Sequence, residues 1–310
     1  MPITPTEFIW MDGSLVKWED AKIHVLTHSL HYGVGVFEGV RAYNTPKGAA
    51  IFRLKDHIQR LFDSAHIYGI EIPFKLEDLI EATKEVVRTN KLESAYIRPL
   101  VYLGYGEMGL NPLPCKVNVS IAAWPWGTYL GDEGVANGVK VKVSSWRRHD
   151  PNAMPGAAKA TGMYANSALA KVEAIHAGYD ECVLLNPQGF VSECTGENIF
   201  IVKNNVLISP PTSLGGALEG ITQNTVFKLA QDLGYQVKES ALVRTDLYCA
   251  DEAFMTGTAA EVVPIKSVDD RMVGSGKPGD ITKQIQKAFF STVHGELEKY
   301  EEWLDFADGK

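Results

Sequence analysis

Short strand-like runs alternate with amphipathic helical segments along the chain, and this alternation limits the fold more than any other feature. Phe8 to Met11, Leu15 to Trp18, Val34 to Tyr43 and Ala50 to Phe52 are rich in β-branched and aromatic residues. Gly13, Asn44-Thr45-Pro46 and Lys47-Gly48 punctuate them as turns. Lys55 to Tyr68 then sets Ile58, Leu61, Phe62 and Ala65 at helical spacing before Gly69. Leu76 to Asn90 repeats that period with Leu79, Ile80, Val86 and Val87, and Ala95 to Leu103 and Val117 to Ala123 return to strand. Residues 125–134 hold Pro125, Gly127, Gly131 and Gly134 beside Trp126 and Tyr129, and read as a connector that lines something. Beyond it, strands (Val139 to Ser144, Glu181 to Leu185, Ile199 to Val202, Ala253 to Thr256, Val262 to Ser267) mix with helices near Tyr164 to Ala177, Thr222 to Leu233 and Thr282 to Trp303. The pattern predicts two α/β domains, residues 1–124 and 138–310, joined by a loop over 125–137.

With 310 residues, 45% of them hydrophobic, the chain can bury cores of that size. A net charge of -8, with no basic run longer than Arg147-Arg148, excludes nucleic acid as an expected partner. The opening MPITPTEFIW has neither a basic region nor an apolar run, so no signal peptide is expected. Apolar stretches are broken by Arg98, Pro99 or glycine, so no membrane span is expected either. Cys115, Cys182, Cys194 and Cys249 lack CxxC spacing and predict reduced thiols in a cytoplasmic protein.

Lys159 sits in a cup of small residues, Pro155-Gly156-Ala157-Ala158-Lys159-Ala160-Thr161-Gly162, with Tyr164 close behind. A lysine without bulky neighbours can lie against a flat ring, and its amine, once desolvated, can form an imine with a carbonyl cofactor. Alone, such a segment reads as a solvated helix start. Three further segments change that balance. Glu193, in Gly189 to Asn198, can aim a carboxylate into a cleft and hold a pyridine nitrogen protonated, which an electron sink for carbanion chemistry requires. Gly220-Ile221-Thr222 opens a helix whose free amides, hydroxyl and positive end suit a phosphate, although plain capping by Thr222 fits as well. Gly257-Thr258-Ala259-Ala260 offers a second set of turn amides, and Arg60 a planar cation for the same phosphate.

Other matches fail. His24, His28 and His31 have metal-like spacing but no acidic partner, and are expected to pack and hydrogen-bond. Gly33 to Gly39 has three residues where a dinucleotide fingerprint has two. His294-Gly295-Glu296 lacks the PCxxC of a zinc deaminase.

Taken in order, Lys159, Glu193, the Gly220 helix start and the Gly257 turn make the chain resemble the branched-chain amino acid aminotransferases, class IV (fold-type IV) enzymes that use pyridoxal 5′-phosphate. The similarity runs from Phe8-Ile9-Trp10-Met11-Asp12-Gly13 to Lys287-Ala288-Phe289-Phe290. It is strongest in His31-Tyr32-Gly33, Val36-Phe37-Glu38-Gly39-Val40-Arg41, Ala95-Tyr96-Ile97-Arg98-Pro99, Ala158-Lys159 and Gly196-Glu197-Asn198. It implies an α/β (α+β) two-domain enzyme: a small α/β domain and a larger one with a β-barrel-like sheet flanked by helices.

By position, the resemblance gives Lys159 the imine and the proton transfer, Tyr164 a hydrogen bond to the ring phenolate oxygen, and Glu193 the ring nitrogen. Arg60, Ile221, Thr222 and Thr258 would hold the phosphate. Tyr96 and the turn amides of Thr258 and Ala259 would meet the substrate α-carboxylate. Phe37, Trp126 and Tyr129 would form an apolar wall, with Leu110 and Tyr32 acting across the boundary of a homodimer or dimer-based hexamer. Arg98, flanked by Tyr32 and Tyr129, would bind the distal carboxylate of glutamate, and Arg41 would orient neighbouring loops. Met108 to Cys115 looks shorter than in close relatives. The implied reaction exchanges the amino group of L-leucine, L-isoleucine or L-valine with 2-oxoglutarate to give L-glutamate. A D-amino acid aminotransferase or an aminodeoxychorismate lyase would share the cofactor residues, and a phosphate- or metal-binding protein is the non-enzymatic rival.

Overall fold

The computed structural model describes residues 3–127 and 130–309. The chain divides into two compact units. The first comprises Met1–Trp126, Ala158–Gly162 and Ser291–Lys310, and the second Gly127–Ala157 and Met163–Phe290. The short segment carrying Lys159 therefore belongs with the first unit.

Among the described residues, the first unit is built on an eight-stranded antiparallel sheet. Its order is Leu304–Phe306, Gly48–Phe52, Val40–Thr45, Ala95–Leu103, Val117–Trp124, Phe8–Met11 and Ser14–Lys17, with Gly35–Phe37 also paired to Ala95–Leu103. The helices Leu54–Ile67 and Leu76–Thr89 present their apolar stripes to its core, burying Leu54, Ile58, Leu61, Leu79 and Val86. The run expected as one strand over Val34 to Tyr43 is broken at Glu38 and Gly39. Burial explains the break: Glu38 is fully buried, and a Cβ on Gly39 would lie 2.1 Å from the Tyr96 hydroxyl.

The second unit holds a nine-stranded mixed sheet, ordered Val191–Cys194, Glu181–Leu185, Val139–Arg147, Glu261–Val268, Glu252–Gly257, Asn198–Lys203, Val206–Ser209 and Gln236–Glu239, with Arg271–Met272 on Glu261–Val268. Two of its parallel pairs are joined by helices: Tyr164–His176 links Val139–Arg147 to Glu181–Leu185, and Ile221–Asp232 links Val206–Ser209 to Gln236–Glu239. Period-two burial is plain in Val139, Val141 and Val143, which share a core with Val183, Ile199, Ile201, Met255 and Val263.

Two further expectations change. Part of the connector over 125–134 is helical, Gly131–Asn137, with Asp132 and Glu133 at the favourable N-terminal end of the helix dipole. The long final helix stops at Val293 and gives way to Gly295 (φ +72°), a 3-10 turn Glu298–Trp303 and the strand Leu304–Phe306. No helix among the described residues is long and apolar enough to cross a membrane.

Candidate active site

Lys159 is fixed by its main chain at both ends of the residue. Its N–H donates to Ser64 Oγ (3.0 Å), its carbonyl accepts from the Phe37 N–H (3.0 Å), and the adjacent Ala160 bridges to Val36. The small residues of the cup have a packing reason: Ala158 and Ala160 are buried, leaving no room for longer side chains. The Lys159 Nζ stands 5.3 Å from the Phe37 ring centroid. Arg98 flanks the same ring at 4.6 Å, and its Nη2 donates to the Tyr96 hydroxyl (3.1 Å). Trp126 lies 5.0 Å from the Tyr96 ring. An amine, a guanidinium, a phenol and two apolar rings thus converge in the first unit. Among the described residues the Arg98 Nε is buried without a hydrogen-bond partner, a donor suited to an anion.

Arg60 enters through a buried cluster. Its Nε and Nη2 donate to the two oxygens of Glu38 at 2.6 and 2.9 Å, and His57 Nδ1 meets Glu38 Oε2 at 2.7 Å. Burial would raise the Glu38 carboxyl, but the Arg60 and His57 charges and hydrogen bonds outweigh it and hold the group well below the usual carboxylate range. Burial pushes the His57 imidazole down, against the pull of the Glu38 carboxylate that its Nδ1 meets. Tyr32 and Leu110 lie on exposed segments tied together by His28, whose Nε2 meets the Gly109 carbonyl at 2.8 Å. His31 also binds a main-chain carbonyl, that of Val25, and His24 Nδ1 accepts from the Leu26 N–H, so these histidines do the packing and bonding expected of them.

In the second unit, Glu193 lies on Val191–Cys194, a strand that reading for periodicity misses because all four residues are buried. A register shift between Val191 and Glu193 bulges this strand and re-aims the glutamate. Glu193 Oε2 accepts from the Leu218 N–H (3.2 Å), and Oε1 lies 3.1 Å from Arg148 Nε. Leu218 leads to Gly220 and the helix Ile221–Asp232; Gln223 Oε1 accepts from the Gly220 N–H (3.4 Å), but glycine at the N-cap has no side chain to cap the amides that follow. Thr222 is buried there, and the uncapped amides with the helix dipole suit a phosphate. Asn198 Nδ2 donates to the Leu218 carbonyl, and a Cβ on Gly220 would strike Asn198 Oδ1 at 1.9 Å, so only glycine fits. Thr258 and Ala259 form the turn between Glu252–Gly257 and Glu261–Val268, and Tyr164 starts the helix Tyr164–His176. Beneath lies Glu197, pushed up to about 8 by burial and then by Glu181, which is itself paired with Lys171 at 2.6 Å.

The first unit therefore gathers Lys159, Phe37, Tyr96, Arg98 and Trp126, with Arg60 alongside Glu38; the second gathers Glu193 and the loop to Ile221 and Thr222. Tyr129 lies outside the described residues. Glu38, His57, Ser64, Arg148 and Asn198 support these residues; Glu38 and Asn198 fall inside the motifs, but the role of each of the five escapes motif reading, because each acts through a partner distant in sequence.

Residues 35–268 match the family described as amino-transferase class IV. A branched-chain-amino-acid aminotransferase of Pseudomonas aeruginosa is 52% identical over 295 residues, covering 95% of both chains. The crystal structure of the Escherichia coli branched-chain amino acid aminotransferase superposes with a TM-score of 0.95 at 49% identity, covering 97% of this chain and 99% of that one. A second branched-chain amino acid aminotransferase, from T.th., complexed with N-(5′-phosphopyridoxyl)-L-glutamate, gives 0.93 at 48% identity, covering 97% and 99%. The mixed α and β architecture is that of these structures. This chain belongs to the class IV aminotransferases.

Proposed function

We propose that Lys159, Tyr164, Glu193, Arg60, Ile221, Thr222 and Thr258 hold pyridoxal 5′-phosphate, and that Tyr32, Phe37, Tyr96, Arg98, Leu110, Trp126, Tyr129, Thr258 and Ala259 shape the substrate pocket. The enzyme transaminates branched-chain L-amino acids with 2-oxoglutarate. The observation that carries the residue assignment is the pairing of Lys159 and Arg98 against one Phe37 ring, with Tyr96 between guanidinium and Trp126. The donors fit the cofactor: a lysine amine, an uncapped helix start for a phosphate, and a buried carboxylate for a ring nitrogen.

When bound, the cofactor supplies a protonated ring that draws off the negative charge released at the substrate α-carbon. Lys159 Nζ takes the α-proton and returns it, acting as general base and then acid. Its main-chain anchors hold Nζ in reach while the side chain pivots. Phe37 and Trp126 exclude water and receive an aliphatic side chain. Arg98 and Tyr96 offer charge-assisted donors to carboxylates, so one pocket serves both leucine-like and glutamate-like substrates. A relative crystallised with a phosphopyridoxyl-glutamate adduct supports glutamate as the second substrate. The exposed Leu110 (87%) and Tyr32 (38%) support a homodimer, alone or within a hexamer, in which a second copy covers them. A cytoplasmic location completes the proposal.

Lys159→Ala is the direct test. It should abolish both turnover and a visible absorption that borohydride can reduce; retention of both would refute the assignment. Single half-reactions with L-leucine and D-alanine should favour L-leucine, and the opposite preference would point to a D-amino acid enzyme.

A further inference from the structure

Arg148, the residue after the strand Val139–Arg147, is 3% exposed. Its guanidinium is held on three sides. Nη1 donates to Asn166 Oδ1 (3.1 Å) and Ser167 Oγ (3.0 Å), and Nη2 to the Cys194 carbonyl (2.8 Å). Asn166 is itself oriented, since its Nδ2 donates to the Arg147 carbonyl (3.1 Å). The remaining edge meets Glu193: Nε lies 3.1 Å from Oε1, yet the Nε–H makes no aligned hydrogen bond. The contact is one of charge rather than of direction.

The other acids around Glu193 are accounted for. Glu181 pairs with Lys171 and accepts from Thr195 Oγ1 (2.7 Å), and Glu197 holds its proton near neutrality. Arg148 is thus a cation in direct contact with the carboxylate that must remain charged, and Glu193 compensates a buried guanidinium.

We propose that Arg148 is a positioning residue which keeps Glu193 ionised, so that the proton shared between Glu193 and the pyridine nitrogen of the cofactor stays on the nitrogen. This rests on the assignment of Glu193 to that nitrogen. A single proton between these two groups has two arrangements, carboxylate with pyridinium or carboxylic acid with neutral pyridine. A cation touching the carboxylate stabilises the first. Only that arrangement leaves the ring electron-withdrawing.

The experiment uses holoenzyme reconstituted with pyridoxal phosphate carrying ¹⁵N in the ring, and reads the ring-nitrogen shift at neutral pH. The natural protein should give the pyridinium position, and Glu193→Gln the neutral pyridine position. A Glu193→Gln spectrum still at pyridinium would remove the underlying assignment and the proposal with it. Arg148→Gln should move the signal to neutral pyridine, whereas Arg148→Lys, which restores the charge without the planar fork, should return it to pyridinium. If Glu193→Gln moves the signal and Arg148→Gln does not, the assignment stands and the role of Arg148 falls. Should Arg148→Gln not fold, Ser167→Ala keeps the arginine but loosens its hold; its pyridinium signal should be lost at lower pH than in the natural protein. An unmoved titration in that variant would overturn the proposal.

Discussion

Arg60 with Glu38 in the first unit, and Arg148 with Glu193 in the second, use the same two functional groups with opposite emphasis. Glu38 is fully buried and takes Arg60, His57 and the Gly39 N–H, so the carboxylate is the fixed member. Arg148 is bound to Asn166, Ser167 and the Cys194 carbonyl, so there the guanidinium is fixed. In each pair the other member is the one assigned to the cofactor: Arg60 to a phosphate, Glu193 to a ring nitrogen. A buried ion pair adds little net stability compared with apolar packing, but breaking one is expensive. Such pairs therefore serve well to orient a functional group.

The strongest way to break the comparison is Glu38→Leu. Stranding the guanidinium and the His57 N–H should cost about 3–5 kcal/mol of stability, read by chemical denaturation, and should weaken cofactor binding. A loss below about 1 kcal/mol would show that Glu38 is not the anchor. Gly39→Ala should come next. Its Cβ would press on the Tyr96 hydroxyl, with the ring carbon at 2.9 Å, and such overpacking costs about 1–3 kcal/mol. Combination with Tyr96→Phe should recover part of that loss. Ser64→Ala removes the hydroxyl that accepts the Lys159 N–H and should cost about 1 kcal/mol, with a matching fall in turnover. Unchanged turnover would make that bond merely local.

Glu197→Gln separates the two units by pH. Glu197 stands at about 8 in the folded protein against an ordinary value of 4.5. The folded chain keeps a proton that the unfolded chain gives up, so this contribution is lost as pH rises between those values. Glutamine should flatten the thermal stability profile across that window and stabilise the protein above it. Glu38 is depressed, so its contribution is present above 4.5 and fades as pH falls below it. Glu197→Gln should leave that acid limb untouched; a shift of the limb would mean that the two carboxyls are not independent.

The strands and helices with a clean period were legible in the sequence. Ala95–Leu103 and Glu181–Leu185 begin and end where their composition suggests, and the helix Leu54–Ile67 shows its stripe in Ile58, Leu61 and Ala65. Val191–Cys194 was not legible as a strand, because a bulge and burial on both faces erase alternation. Lys159 announced itself through its small neighbours. Glu38 was visible only as part of a motif, and Arg148 only as half of a basic pair. What defines each is a counter-charge 22 or 45 positions away, and no local pattern encodes such a distance.

Lys159 is held by its peptide groups, through Ser64 and Phe37. A residue proposed to release its cargo and recapture it in every catalytic cycle cannot depend on that cargo for its own location. With the chain moored independently, the side chain can serve as a swinging tether, and the empty apoprotein keeps the mooring ready for reloading.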